Sequence, residues 1–193
     1  KIGVKRAEVL SPAGNLTKLK IALEYGADAV YGSVASFSLR TRSAREFNLE
    51  TFKEAIDYTH AKGKKFYATI NAFPFNSQIE PLKRHLQTIS AMKPDAFIIA
   101  TPGVMSLAKA IAPDIEIHLS TQANVMNVLD AKIYHDMGAK RIVVAREMNL
   151  KDVIKIKEEI PTLDIEIFVH GSMCFAYSGR CLVSSVQSGR MSN

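Results

Sequence analysis

Cysteines and long apolar segments are both scarce in this chain. Only 2 of its 193 residues are cysteine, and no apolar run is long enough to span a bilayer. The opening residues, KIGVKR, do not resemble a secretory signal. We therefore expect a cytoplasmic protein with no membrane partner, whose two cysteines are reduced thiols or metal ligands rather than a disulfide framework.

Several catalytic motifs are also missing. The first predicted strand is followed by SPAGN rather than by a Gly-x-Gly-x-x-Gly turn, which disfavours a dinucleotide-binding fold. The chain has no His-Glu-x-x-His helix and no Gly-x-Ser-x-Gly elbow. A zinc protease of that type and a serine hydrolase of that type are therefore unsupported.

Acidic residues are in the minority and are unevenly placed. The chain has 25 lysine and arginine residues against 19 aspartate and glutamate residues, which gives a formal net charge of +6. Arg40, Arg42 and Arg45 lie close together in FSLRTRSAREF, and no acidic residue follows Glu166. This bias suits RNA or an anionic small-molecule co-substrate, although a solvated basic surface would give the same composition.

What is present is a regular series of short β-rich runs, each followed by a helical pattern. Asparagine precedes four of these helical patterns, and glycine or proline follows them, as expected for capped helices. The seven β-rich runs begin near Glu8, Ala29, Lys65, Asp95, Glu116, Arg141 and Ile165.

This alternation predicts an α/β fold with a parallel sheet and right-handed crossovers. Seven βα units in series favour a (β/α) TIM-barrel-like domain over a doubly wound sheet. Such a barrel has eight strands. We therefore expect residues 1–193 to form a single barrel-like domain, the N-terminal portion of a longer protein whose downstream sequence completes the barrel.

The functional face of such a barrel lies at the C-terminal ends of its strands. Polar residues at or near those ends are therefore candidates for one shared site, although each could instead be a satisfied core group, a helix cap or a surface ion pair. The candidates are Asn71, His118, Ser120, Gln122, Arg146, Glu147, Glu166 and His170.

The two cysteines, Cys174 and Cys181, directly follow the last of these strands. A Cys-x6-Cys spacing is not a zinc knuckle, and two thiolates alone do not make a structural zinc site. From the residues alone, three readings stay open: inert buried thiols, half of an iron–sulfur or other thiolate metal site, or a catalytic thiol beside His170.

The segment EIFVHGSMCFAYSGRCLVS, residues 166–184, closely resembles the signature of the peptidase U32 family, also called the collagenase-like family. That pattern is Glu-x-Phe-x-x-Gly-(Ser/Ala)-aliphatic-Cys-x4-Gly-x-Cys-x-aliphatic-Ser, where x is any residue. Every fixed position is filled here. Three further segments also match the family: LSPAGNLTKLKIALEYGADAVY, FSLR and HLSTQANVMN. The sequence is most similar to those of the epsilonproteobacterial members.

The resemblance implies two alternative activities. Some members are called proteases, without agreed catalytic residues, whereas others act in oxygen-independent hydroxylation of a tRNA wobble uridine, an rRNA cytidine or a quinone precursor. In the best understood of the latter members four cysteines hold a 4Fe-4S cluster, and the resemblance implies that the first two of them correspond to Cys174 and Cys181. The chain ends before the remaining cysteines of the family pattern, so we expect it not to assemble a complete cluster alone.

We therefore expect an RNA-modifying hydroxylation enzyme acting on tRNA or rRNA. Cys174 and Cys181 would be metal ligands, and His118, Glu166 and His170 would be the catalytic residues. The predicted substrate- or anion-binding residues are Arg40, Arg42, Arg45, Asn71, Gln122 and Arg146. A collagenase-like peptidase and a non-catalytic partner subunit remain the alternatives.

Overall fold

Seven parallel strands, taken in chain order, make one sheet in this protein. The computed structural model describes residues 6–34, 47–171 and 177–178. The strands are β1 (Leu10–Pro12), β2 (Ala29–Gly32), β3 (Lys65–Ile70), β4 (Ala96–Ile99), β5 (Glu116–Leu119), β6 (Arg141–Val143) and β7 (Asp164–Glu166). The helices are α1 (Leu16–Glu24), α2 (Leu49–Ala61), α3 (Ile79–Ala91), α4 (Pro102–Ile111), α5 (Val128–Asp136) and α6 (Leu150–Glu159).

The strand order β1-β2-β3-β4-β5-β6-β7, with a helix between each pair of neighbouring strands, confirms the predicted TIM-barrel-like architecture. All six strand pairs are parallel. The predicted strand starts lie within two residues of the observed ones. No helix in the described ranges is long and apolar enough to cross a membrane.

The predicted asparagine caps are present at the starts of four helices. In each case the side-chain carbonyl accepts a hydrogen bond from the backbone N–H three residues later, which satisfies one of the free donors of the first turn. The capping residues are Asn15, Asn48, Asn127 and Asn149.

The two faces of the sheet bury different kinds of side chain. Alternate strand residues such as Val30, Phe66 and Phe97 pack against the helices in one large apolar core. The residues between them face the barrel interior, where a much smaller apolar cluster contains Tyr67 and Ile98. Polar and charged residues such as Glu116, His118 and Arg141 also lie on this inner face.

Candidate functional site

Tyr177 and Ser178, which lie between the two cysteines in the sequence, contact the loops at the C-terminal ends of β5 and β6. The backbone N–H of Ser178 donates to Oε1 of Glu147 at 2.8 Å, and the backbone N–H of Arg146 donates to Oγ of Ser178 at 3.3 Å. The Tyr177 hydroxyl lies 2.9 Å from Sδ of Met126. Ser178 is 1% exposed. These contacts place Tyr177 and Ser178 at the C-terminal end of the barrel, which we call the mouth.

Glu147 was a candidate for a weak surface ion pair, but the structure gives it a different contact. Partial burial opposes its ionisation, yet the hydrogen bond from the Ser178 N–H holds the pKa of the Glu147 carboxyl below its usual value. An ionised Glu147 is a stronger acceptor for that backbone N–H. The residue therefore anchors a loop at the mouth.

Several buried polar atoms at the mouth lack a hydrogen-bond partner among the described residues. They include Oγ1 of Thr69, Oδ1 of Asn71 and Oδ1 of Asn124. Thr69 and Asn71 lie two residues apart and continue the inward-facing alternation of β3, whereas Asn124 follows β5 in a left-handed conformation with φ 56°. Buried polar atoms are normally hydrogen-bonded, so these atoms mark a place where a polar ligand or water can bind.

The structure places two predicted catalytic residues deeper in the barrel than the mouth. His118 is the third residue of β5 and is 1% exposed. Its ring packs edge-on against Tyr67, with ring centroids 4.5 Å apart, and its Nε2 lies 3.5 Å from the Glu116 carboxylate. Glu166, the last residue of β7, reaches the same region, because its Oε2 lies 3.6 Å from Nη1 of Arg141.

Arg141 is the centre of an interior charge cluster that the sequence analysis did not identify. Its Nη1 donates to Oε1 of Glu8 at 2.7 Å, and the Tyr67 hydroxyl donates to the same oxygen at 2.7 Å. The Arg141 guanidinium also lies 5.4 Å from the centre of the Tyr67 ring. We call Glu8, Tyr67, Arg141 and Glu166 the interior cluster.

Burial and neighbouring charge shift the ionisation of these groups. Burial, reinforced by the positive charge of Arg141, lowers the pKa of His118 to about 3, so its imidazole is neutral at pH 7. Burial raises the pKa of the Glu166 carboxyl, although Arg141 opposes this effect. Burial disfavours a charged Arg141, but the hydrogen bond to Glu8 and the electrostatic interactions with Tyr67, Glu8 and Glu166 together raise the guanidinium pKa.

The remaining predicted site residues are found in three situations. Asn71, Gln122 and Arg146 follow the C-terminal ends of β3, β5 and β6 and so lie at the mouth, whereas His170 is exposed in the segment after β7. The structure brings His118 and Glu166 to one region around Arg141, and it records no contact of either with His170 among the described residues. The predicted residues Arg40, Arg42, Arg45, Cys174 and Cys181 lie outside the described residues.

A signal for the interior cluster was present in the sequence. A charged residue is the first residue of four strands, namely Lys65 of β3, Glu116 of β5, Arg141 of β6 and Asp164 of β7. At the N-terminal ends of parallel barrel strands such residues meet one another, and conservation at that end of a barrel is generally linked to stability.

The described residues contain no group of three His, Cys, Asp or Glu side chains that could hold a metal ion. Cys174 and Cys181, the predicted metal ligands, lie outside the described residues. Thiolates are soft ligands that suit iron–sulfur clusters, and two of them are half of the usual four.

Parallel strands in chain order, which alternate with helices and carry polar residues at their C-terminal ends, define a TIM-barrel-like α/β protein. The sequence profile of Peptidase family U32 matches residues 14–193. The chain therefore belongs to peptidase family U32. The solved structure of the U32 peptidase Mk0906 has the same fold, with a TM-score of 0.68 and 17% identity over 86% of this chain and 69% of that chain.

Curated relatives carry names of RNA hydroxylation and of proteolysis. The tRNA hydroxylation protein P of Helicobacter pylori is 64% identical over 98% of this chain. A 23S rRNA 5-hydroxycytidine synthase of Escherichia coli is 36% identical over 97%, and a collagenase of Porphyromonas gingivalis is 31% identical over 95%. The chain spans 45%, 28% and 46% of the lengths of these relatives, respectively.

Proposed function

We propose that this protein takes part in the oxygen-independent hydroxylation of RNA, with tRNA as the preferred substrate. The observation that carries this proposal is the 64% identity to a tRNA hydroxylation protein across almost the whole chain. The formal charge of +6 supports an RNA partner, because phosphate contacts dominate nucleic-acid affinity. The proposal places the protein in the cytoplasm, where tRNA is modified.

The mouth is the proposed reaction site. Cys174 and Cys181 would supply two ligands of a 4Fe-4S cluster, which provides one-electron chemistry when bound. Arg40, Arg42, Arg45 and Arg146 would bind RNA phosphates or the carboxylate of an anionic co-substrate. Asn71 and Gln122 would orient the substrate through their amides.

The buried residues have distinct proposed roles. A neutral His118 can donate or accept a hydrogen bond inside the barrel, but it carries no charge at pH 7. Glu166, whose carboxyl pKa is raised by burial, is the proposed group for holding and releasing a proton. His170 is exposed after β7 and would act only on a substrate bound at the mouth.

The cofactor assignment is tested by measuring iron and acid-labile sulfide in protein purified without oxygen. The comparison is a Cys174→Ala/Cys181→Ala double variant. Stoichiometric iron and sulfide that disappear in the variant would support the cluster. Metal-free protein in both preparations would contradict it.

Peptide-bond hydrolysis is the second candidate, because a relative at 31% identity is named a collagenase. The geometry gives it less support. Within the described residues the ring of His118 contacts Tyr67 and Glu116 rather than a serine or cysteine nucleophile. Gelatin cleavage that persists in purified protein and is lost on Glu166→Gln or His170→Ala substitution would favour it over RNA hydroxylation.

The RNA proposal makes a genetic prediction. Deletion of the gene should remove hydroxylated uridine or cytidine from cellular RNA. Unchanged tRNA and rRNA nucleosides in the deletion strain would contradict it.

A further inference from the structure

The phenylalanines of this chain fall into two sharply different groups. Among the described residues, Phe47, Phe52, Phe66 and Phe97 are at most 1% exposed and belong to the core between sheet and helices. Three others are exposed: Phe73 by 37%, Phe75 by 70% and Phe168 by 53%. All three follow the C-terminal end of a strand, β3 or β7, and therefore lie at the mouth.

The loop that carries Phe73 and Phe75 is held by its own hydrogen bonds. The backbone N–H of Phe75 donates to Oε1 of Gln78 at 2.9 Å, and the N–H of Gln78 donates back to the Phe75 carbonyl at 2.8 Å. Pro74 lies between the two phenylalanines and restricts the backbone further. The exposed rings are therefore presented on an ordered loop, which lowers the entropy cost of binding a ligand on them.

Asn71 begins the same loop and adds a hydrogen-bonding group. Its Oδ1 is buried and has no hydrogen-bond partner among the described residues. An amide oxygen accepts a hydrogen bond from an N–H group, and an amide nitrogen donates to a carbonyl. The loop thus combines two exposed aromatic rings with an amide at the inner end.

We propose that this loop binds one unpaired RNA base, stacked on Phe73 or Phe75 and hydrogen-bonded at its edge by Asn71. Proteins recognise unpaired RNA bases by this combination of aromatic stacking and contacts to the base edge. The inference rests on the proposed RNA function and names the part of the RNA that the mouth accepts. An RNA duplex would not fit it, because paired bases present no free face to stack on.

The direct test uses the absence of tryptophan from the 193 residues. A Phe75→Trp variant is titrated with a single-stranded oligouridylate about ten nucleotides long, and with an RNA duplex of equal length. The single strand should quench the fluorescence of the tryptophan at position 75, because a base stacks on its ring, whereas the duplex should not. The matched control is Tyr25→Trp. Tyr25 is 89% exposed after the end of α1, at the N-terminal end of the barrel and so away from the mouth. Its fluorescence should not be quenched by either RNA.

Alanine variants measure the contribution of each group to affinity. Phe75→Ala should weaken binding of the single strand by about fivefold or more, as loss of a base–aromatic stack does, whereas Tyr25→Ala should leave it unchanged. Methylation of uracil at N3 removes the N–H that would donate a hydrogen bond from the base edge to Oδ1 of Asn71. It should therefore weaken binding to the parent protein and have no effect on an Asn71→Ala variant. Because Phe75 is exposed, its variants should retain the parent's thermal unfolding midpoint.

The outcomes separate this inference from the proposed function. RNA binding that Phe75→Ala leaves unchanged, with no quenching at position 75, would overturn the base-binding loop and leave the RNA function standing. A parent protein that binds neither single-stranded nor duplex RNA would overturn both. Quenching by gelatin peptides instead of RNA would assign the loop to a protein ligand and also overturn the inference.

Discussion

Substitution of Arg141 by methionine should destabilise the fold strongly. The Arg141 side chain is 12% exposed, donates to Glu8 at 2.7 Å and lies 3.6 Å from the Glu166 carboxylate. The substitution would leave the Glu166 carboxylate without its cation and the Glu8 carboxylate with only Lys65, 3.8 Å away. Removing one partner of a buried ion pair costs about 3–5 kcal/mol. Because the Glu8 side chain is 25% exposed, we expect the lower end, about 3 kcal/mol in the free energy of unfolding.

The assay is urea unfolding followed by circular dichroism, with the thermal midpoint measured in parallel. For a domain of this size, 3 kcal/mol corresponds to a fall of roughly 6–12 °C. The matched control is Lys53→Ala, which removes an exposed pair with Asp57 one helical turn away and should cost about 0.3–0.5 kcal/mol. A Glu8→Gln/Arg141→Met double variant should recover part of the loss. A cost for Arg141→Met no larger than that for Lys53→Ala would refute the account of the interior cluster.

Three further predictions concern pH, packing and the mouth. The pKa of His118 in the folded protein is about 3, below the ordinary value of 6.5. Its neutral imidazole therefore contributes fully to stability above pH 6.5, and this contribution is lost as the pH falls towards 3. Between pH 7 and pH 4, the free energy of unfolding in urea should fall more in the parent protein than in a His118→Asn variant. Gly32→Ala should destabilise the fold by about 1–3 kcal/mol, because the added Cβ would lie 2.8 Å from the Ala13 carbonyl oxygen and 2.9 Å from the Phe47 ring. The control, Gly103→Ala, has nothing within 4 Å of the added Cβ and should not destabilise it. An equal fall in the thermal unfolding midpoint of both variants would contradict this packing. Ser178→Ala removes the hydroxyl that accepts from the Arg146 backbone and should lower the iron content of protein purified without oxygen, and an unchanged iron content would detach this contact from the proposed cluster.

Local features of the sequence predicted the fold well. The β-rich runs gave the strand positions, since a parallel sheet buries both faces of each strand. The asparagine caps gave the helix starts, because capping depends only on a side chain and the next turn of backbone. The mouth residues Asn71, Gln122 and Arg146 followed from one rule about strand ends.

The interior cluster could not be predicted in this way. Arg141 and Glu8 are 133 residues apart, and their contact depends on how the curved sheet brings β6 towards the residues before β1. The depth of His118 also escaped prediction. β5 has only four residues, so a position near the strand end still lies in the interior, where it contacts Tyr67.

The measurement that tests the central claim most directly is mass spectrometry of nucleosides from purified tRNA and rRNA. The RNA is taken from a deletion strain and from the same strain carrying the parent gene or the Cys174→Ala/Cys181→Ala variant. The account predicts that hydroxylated uridine or cytidine disappears on deletion, returns with the parent gene and does not return with the double variant. Hydroxylated nucleosides at the same level in the deletion strain and its parent would contradict it.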